Sequence, residues 1–252
     1  MTFDAVTISA FLGAVALMGI SKGGLTGLGM MSMPLLLFVM PPATAAGIFL
    51  PVLMTQDVFG VWLYRGQWDV ANLKLLVPAA AVGIVFGYLM FLTMPEAGLL
   101  VLLGAITLIF ALRGLTRLKA PPSPPRPMWG RVLGAISGFT STVLHVGAPP
   151  FQIYLLPQKL PRDVFVATTV TFFFLMNWMK LPVFIALGQL TWPNLLVALL
   201  VAPFALAMTW VGKRLASVIE PERFYLIIHL LLAALGLKLL WDGLSSLAFM
   251  TG

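Results

Sequence analysis

Residues 131–157, RVLGAISGFTSTVLHVGAPPFQIYLLP, decide how this chain is threaded, because the stretch is too long for one tidy helix and is interrupted in its middle by small and polar residues. If it crosses a membrane once, Lys159, Arg162, Lys213, Arg214 and Arg223 all fall opposite the basic, Pro-rich segment 113–131, RGLTRLKAPPSPPRPMWGR. Cytoplasmic loops carry the excess of Lys and Arg, so five violations argue against a single crossing. If 131–157 instead enters and returns, those five residues lie inside and the uncharged loop 187–194 lies outside. Walking backward from the linker places 94–96 outside, Arg65 and Lys74 inside, and the Pro41–Pro42 turn outside. Of the 15 Lys and Arg, this leaves only Lys22, Lys180 and Lys238 away from the cytoplasmic face.

Composition agrees with a membrane chain. Sixty per cent of the 252 residues are hydrophobic and 9% are charged, against roughly 45–50% and about 25% in soluble domains. Apolar segments of spanning length recur at about 43–64, 71–93, 97–117, 163–186, 193–215 and 223–248. The start, MTFDAVTISAFLG, lacks the basic region of a secretory signal, so the N-terminus is expected to stay on the mature protein. The absence of cysteine excludes disulfides, thiolate chemistry, cysteine-based zinc sites and iron–sulfur clusters. The net charge of +7 does not point to nucleic acid, because the basic residues sit between apolar segments, where they fix topology and meet anionic lipid.

A second interrupted stretch, 5–40, carries GISKGGLTGLG at 19–29. In both stretches the flanking pieces, of about 8–16 residues, are short for a crossing. Irregular backbone at membrane depth has to face protein or a cavity, so both are expected to be broken or re-entrant hairpins. The predicted fold is therefore an all-α polytopic membrane protein of two inverted repeats, each a hairpin followed by three transmembrane helices. The first repeat covers 1–120, the linker 121–130 and the second repeat 131–252, with both termini external. Arg65-Gly66-Gln67-Trp68 and Leu187-Gly188-Gln189-Leu190 echo one another after the first full span of each half, and Asn72-Leu73 and Asn194-Leu195 follow at the same offset.

Ionisable residues inside spans point to function by default. Lys22 sits in the first glycine-rich break, where Gly23 and Gly24 permit close backbone approach. A helix restarting near Thr26 would aim free N–H groups beside that lysine, as in an anion site; the competing reading is tight glycine packing with a snorkelling lysine. The second break offers Thr140, Ser141, Thr142, His145 and Gly147, with hydroxyls able to donate to an oxyanion and a histidine able to titrate. A histidine held by a backbone carbonyl, and hydroxyls bonded to their own helix, are the structural alternatives.

Aligning the Gly66 and Gly188 ends puts Thr55 over Asn177 and Asp57 one position from Lys180. Asp57 and Lys180 are expected either to pair across the symmetry axis, or to divide the work, Lys180 facing substrate and Asp57 taking protons. His229 reads as a packed helix-contact residue and Lys238 as a snorkelling or neighbour-contacting one. An aspartyl protease needs two intramembrane carboxylates and only Asp57 is present. Ser137 or Ser141 with His145 or His229 lacks a nucleophile-elbow motif. A filter signature for a channel is also missing. No enzyme activity, cofactor or metal is expected.

At these residues the chain resembles the sulfite exporter TauE/SafE family of bacterial membrane permeases. The resemblance rests on Gly19-Ile20-Ser21-Lys22-Gly23-Gly24 with Pro34-Leu35, on Gly138-Phe139-Thr140-Ser141-Thr142 running to Gly147-Ala148-Pro149-Pro150, on Tyr154 through Pro161, and on Thr168 to Leu181 with Asn177-Trp178-Met179-Lys180 near its end. It covers essentially the whole chain. Ala148 departs from it, standing where such proteins often carry a second glycine. The resemblance implies export of small sulfur-containing anions such as sulfite, sulfoacetate or other organosulfonates across the bacterial cytoplasmic membrane. The expected site brings the two hairpins together near the midplane and draws on Lys22, Gly23, Gly24, Thr142, His145, Gly147, Asn177 and Lys180. Proton coupling is assigned to Asp57 or His145, lipid and a small anion are the partners, and a homodimer is the candidate assembly. A carboxylate transporter and a non-transporting membrane scaffold are the rival readings.

Overall fold

The computed structural model describes residues 4–117, 126–216 and 221–251, and among these every regular element is helical. Residues 121–125 of the expected linker 121–130, along with Lys119, lie outside the described residues. Helix α1 (Ala5–Gly23) is followed by a 3-10 turn (Leu28–Met31) and the short α2 (Ser32–Leu37). Then come α3 (Pro42–Leu63), α4 (Val70–Thr93) and α5 (Glu96–Arg117). The second half repeats the order with α6 (Pro127–Leu144), the short α7 (Ala148–Leu155), α8 (Arg162–Ala186), α9 (Trp192–Ala216) and α10 (Pro221–Thr251).

Helix ends follow local chemistry. Asp4 caps α1 by accepting from the Thr7 N–H at 2.8 Å, and Asp69 caps α4 by accepting from the Asn72 N–H at 2.9 Å. Pro42 and Pro127 open α3 and α6, where a missing N–H costs nothing. The echoed glycines Gly66 and Gly188 both follow their helices with positive φ, +80° and +65°, the left-handed conformation that ends a helix without a Cβ clash.

Among the described residues six helices are long and apolar enough to cross a membrane: Ala5–Gly23, Pro42–Leu63, Val70–Met90, Ala97–Thr116, Arg162–Ala186 and Trp192–Ala216. Their outward faces carry Val82, Val85, Phe86, Leu89, Leu199 and Leu200 exposed, a surface suited to lipid rather than water. The first arms of the two hairpins are longer than the sequence suggested. At 19 residues, α1 rises about 28 Å, and α6 has 18 residues. The glycine run does not break α1 at residue 19. Gly19 and Gly23 stay helical because α1 lies against α9, where a Cβ on Gly23 would collide with the Thr209 carbonyl.

Packing exchanges elements between the halves. α1 lies along α9, and α6 lies along α4 in the corresponding way; α3 meets α8, and α5 meets α10. At the α4–α6 crossing a Cβ on Gly138 would strike the Ala80 carbonyl, and one on Gly83 the Ala135 carbonyl. Close backbone approach of this kind is how membrane helices gain contact without a hydrophobic drive between them.

The hairpin tips do not meet at mid-depth. Gly24 sits beside Ala216, the last residue of α9, and beside the Tyr64 hydroxyl at the end of α3. The other tip, His145, lies against Ala46 in the second turn of α3 and against Phe184 near the end of α8. The tips therefore approach opposite ends of the bundle, because α1 and α6 each run almost its full height before turning. Arg65, Lys159, Arg162, Lys213 and Arg214 share the Gly24 end, in the loops and helix termini around Tyr64.

Candidate functional site

The last turn of α1 carries Lys22 into the interior, where its Nζ donates to Oδ1 of Asp57 on α3. The other carboxylate oxygen, Oδ2, accepts from Nδ2 of Asn177 on α8. Asp57 is fully buried and both its oxygens are engaged, as a charge in a low-dielectric interior requires. The adjacent Gln56 donates from Nε2 to the Val15 carbonyl at 3.0 Å, fixing α3 to α1. The Lys22 ammonium also stands 5.1 Å from the Phe173 ring centroid.

Lys180, one turn beyond Asn177 on α8, takes a different set of partners. Its Nζ donates to the Ser141 carbonyl at 3.1 Å, to Ser141 Oγ at 3.0 Å and to Nδ1 of His145 at 2.9 Å. Nε2 of His145 donates to the Ala46 carbonyl at 2.9 Å. With its proton on Nε2, the ring presents Nδ1 as an acceptor, so the two contacts assign one neutral tautomer. The expected Asp57–Lys180 pair is thus replaced by Asp57 with Lys22, because the helical end of α1 brings Lys22 up to α3. His145 turns the chain at φ 55°, a left-handed conformation uncommon for a residue with a Cβ; its N–H bonds back to the Ser141 carbonyl.

Between these two clusters lies a cavity of about 50 Å³, lined by Lys22, Asn177, Ser141 and His145 together with Ser21, Thr26, Gln152 and Thr169. That is room for a few waters or one small anion. Met18, Met30, Leu53, Val146, Val170 and Phe173 supply its apolar wall. Thr169 and Asn177, both on α8, mark a reach of about 12 Å along the helix. The cavity therefore runs along the space between the hairpins instead of sitting at a shared tip.

Of the residues expected to bind substrate, Lys22, His145 and Asn177 line this space, and Lys180 stands behind Ser141 and His145. Gly23 and Gly24 face α9 and its end. Thr142 bonds to the Gly138 carbonyl of its own helix at 2.9 Å and packs on Gly87. Gly147 accepts from Ser137 Oγ at 2.6 Å, with no room for a Cβ beside Ser137 and Ser141. The sequence did not assign Ser21, Thr26, Gln152 or Thr169 to substrate binding, naming Thr26 only as the point where a helix restarts. The one signal available was polarity: Gln152 interrupts the apolar run PPFQIYLL, and Thr169 belongs to TTVTFFF.

Ser137 and Ser141 make their hydroxyl bonds to Gly147 and Lys180, and neither is paired with a histidine. His229 stacks on Phe110 at 5.3 Å and packs over Gly114. Lys238 pairs with Asp242 and stands 4.7 Å from the Phe38 ring centroid. Among the described residues no cluster of three His, Cys, Asp or Glu could hold a metal ion.

A family model described as Sulfite exporter TauE/SafE matches residues 11–239. Neither the curated proteins nor the solved structures contain a match to the chain.

Proposed function

Since the chain belongs to the sulfite exporter TauE/SafE family of membrane transport proteins, we propose that it is a secondary transporter exporting small sulfur-containing anions, sulfite or organosulfonates, across the bacterial cytoplasmic membrane. The observation that carries this reading is the buried cavity that joins Lys22 and Asn177 to Ser141 and His145 between two interrupted helices. Such a space offers an ammonium, an amide and hydroxyls to an anion that has shed its water. Irregular backbone lining a cavity at membrane depth is where transporters bind their cargo.

The exchange of α1 onto α9 and of α6 onto α4 is what two inverted repeats with swapped hairpins would produce. The paired positive-φ glycines Gly66 and Gly188 support the same symmetry. Alternating access then consists of rocking one repeat against the other around the cavity. The basic end, with Arg65, Arg162 and Lys213, is cytoplasmic in this reading, and both termini are external. Proton coupling falls to Asp57, whose oxygens hold both Lys22 and Asn177, or to His145.

Flux of labelled sulfite into proteoliposomes tests the proposal. Lys22→Ala is expected to abolish flux and Lys180→Ala to reduce it at least about tenfold, a loss of ~1.4 kcal/mol of binding or more. Undiminished flux in both would overturn the site. For topology, cysteines at Lys159 and Lys213 should resist an impermeant thiol reagent applied from outside, and labelling there would reverse the orientation.

A further inference from the structure

Ser141 differs from the hydroxyls on either side of it. Thr140 Oγ1 donates to the Ile136 carbonyl at 2.9 Å and Thr142 Oγ1 to the Gly138 carbonyl at 2.9 Å, each back onto α6. Ser141 Oγ instead meets Lys180 Nζ at 3.0 Å, and Ser141 lines the cavity while Lys180 stands behind it. The three groups around Nζ are not equivalent. The Ser141 carbonyl, at 3.1 Å, only accepts. His145 Nδ1, at 2.9 Å, accepts as well, because the ring proton is committed from Nε2 to the Ala46 carbonyl. Only the Ser141 hydroxyl can both donate and accept. An ammonium has three protons and fills all three places as donor, so Ser141 accepts and its own hydrogen is turned away from Nζ. An amine has two protons and a lone pair; it donates to the carbonyl and to Nδ1, and accepts from Ser141. The same atomic positions therefore close two hydrogen-bond sets, which differ by one proton on Nζ and by the direction of one hydroxyl.

We propose that Lys180 is a proton-binding site coupled to the cavity through Ser141: when Nζ takes up a proton, the Ser141 hydroxyl turns from Lys180 to the cavity and becomes a donor for the bound anion. The inference rests on the anion-transport reading above and moves the coupling proton from Asp57 and His145 to Lys180. Asp57 has both oxygens held by Lys22 and Asn177, and His145 has both ring nitrogens held by Lys180 and Ala46, so a proton arriving at either has to displace a partner. Lys180 takes one with no partner lost, and Ser141 keeps its hydrogen and changes only the acceptor. The charged groups acting on Lys180 from neighbouring helices are Asp57 on α3 and Lys22 on α1, which oppose one another, while α6 presents His145 at its end. α4 meets α8 where the Asp69 N–H donates to Thr168, about 18 Å along the helix from Lys180. A hydroxyl donating to an anion makes a stronger bond than one donating to a neutral group. Proton and anion therefore strengthen each other's binding, each by the same factor.

Methanesulfonate is the probe for the test, since a sulfonate keeps its single charge where sulfite would itself titrate. Its apparent Kd for the full chain in detergent is read from added thermal stabilisation between about pH 6 and pH 9. Wild-type affinity is expected to fall at least about tenfold as pH rises across that interval, and a pH indicator in weak buffer should record about one proton taken up per anion bound. Lys180→Met should bind with one affinity throughout and take up no proton. Ser141→Ala keeps the lysine but has no hydroxyl to turn, and should bind as weakly at every pH as the wild-type chain does at the alkaline limit. A wild-type affinity that does not change with pH overturns the inference. So does a pH dependence retained in Lys180→Met, which would return the proton to Asp57 or His145, or one retained in Ser141→Ala. Each of these leaves anion binding standing; if neither methanesulfonate, sulfite nor lactate stabilises the wild-type chain at any pH, the transport reading falls and takes the inference with it. Should Lys180→Met fail to fold, Lys180→Arg is the second arm. A guanidinium donates at every pH, so affinity should stay at its acid-side level, and a retained pH dependence counts against the inference in the same way.

Discussion

The chain contains two helices that break and restart, one after α1 and one after α6, and the two breaks differ in their chemistry. The first turns on Gly24 and Gly27, at φ 138° and 135°, and the cation beside it, Lys22, is neutralised by a carboxylate from α3. The second turns on a histidine at φ 55° and restarts its helix with Pro149 and Pro150, which have no N–H to offer an anion. The lysine beside it, Lys180, has only neutral hydrogen-bond partners. The two breaks therefore differ in charge arrangement: a closed ion pair beside the first and, beside the second, an open lysine hydrogen-bonded only to neutral groups.

That contrast is most directly broken at the ion pair. Asp57→Leu leaves Lys22 buried without its partner and is expected to cost about 3–5 kcal/mol, measured by denaturant unfolding in detergent; the double variant with Lys22→Met should recover most of the loss. Lys180→Met removes a lysine without stranding a carboxylate. Its cost should be smaller, about 1–3 kcal/mol, from orphaned polar groups at Ser141 and His145. Equal costs for the two sites would erase the distinction between the closed ion pair and the open lysine.

Gly24→Ala places a Cβ at φ 138° and within 2.9 Å of the Ala216 Cβ, and should destabilise by about 1–2 kcal/mol. Ala148→Gly, in the other break, sits at an ordinary helix start and should change stability by less than about 1 kcal/mol. Thermal unfolding of the two variants gives the order.

The smallest effect is expected at the latch on the first tip, where the Tyr64 hydroxyl donates to the Gly23 carbonyl at 2.6 Å. Tyr64→Phe should cost about 1 kcal/mol. Burial pushes the Tyr64 phenol up to about 12 from its ordinary 10.0. The folded chain thus keeps a proton that the unfolded chain loses, so this contribution is intact below pH 10 and fades as pH rises towards about 12. Stability measured across that interval should fall less steeply in Tyr64→Phe.

Much of the fold was readable because spacing and punctuation are local properties. The expected spans 43–64, 71–93 and 163–186 lie within about a residue of α3, α4 and α8, since prolines, capping aspartates and positive-φ glycines mark their ends. The breaks were readable as regions, but their positions were not. Gly19 and Gly23 look like helix breakers in one dimension and remain helical because Thr209 and Gly212 on α9 leave no space for side chains. The site was legible in its members more than in its pairings. Lys22, His145, Asn177 and Lys180 stand out as polar groups in apolar stretches, whereas the choice of Lys22 over Lys180 as partner of Asp57 depends on how far α1 reaches along α3. Thr26, Gln152 and Thr169 gave too weak a signal, since a hydroxyl or an amide is ordinary in a membrane helix.

The seat of α1 has a consequence for how the molecule is made. Gly19 and Gly23 dock against Ala205, Thr209 and Gly212, residues synthesised nearly a whole chain later. Helix α1 must therefore wait in the bilayer for α9 before it finds its groove, while α6 reaches a finished α4 at once. A chain truncated anywhere before α9 would hold Lys22 without the surface against which its helix packs, so the seat of α1 is completed only by residues about 190 positions further along.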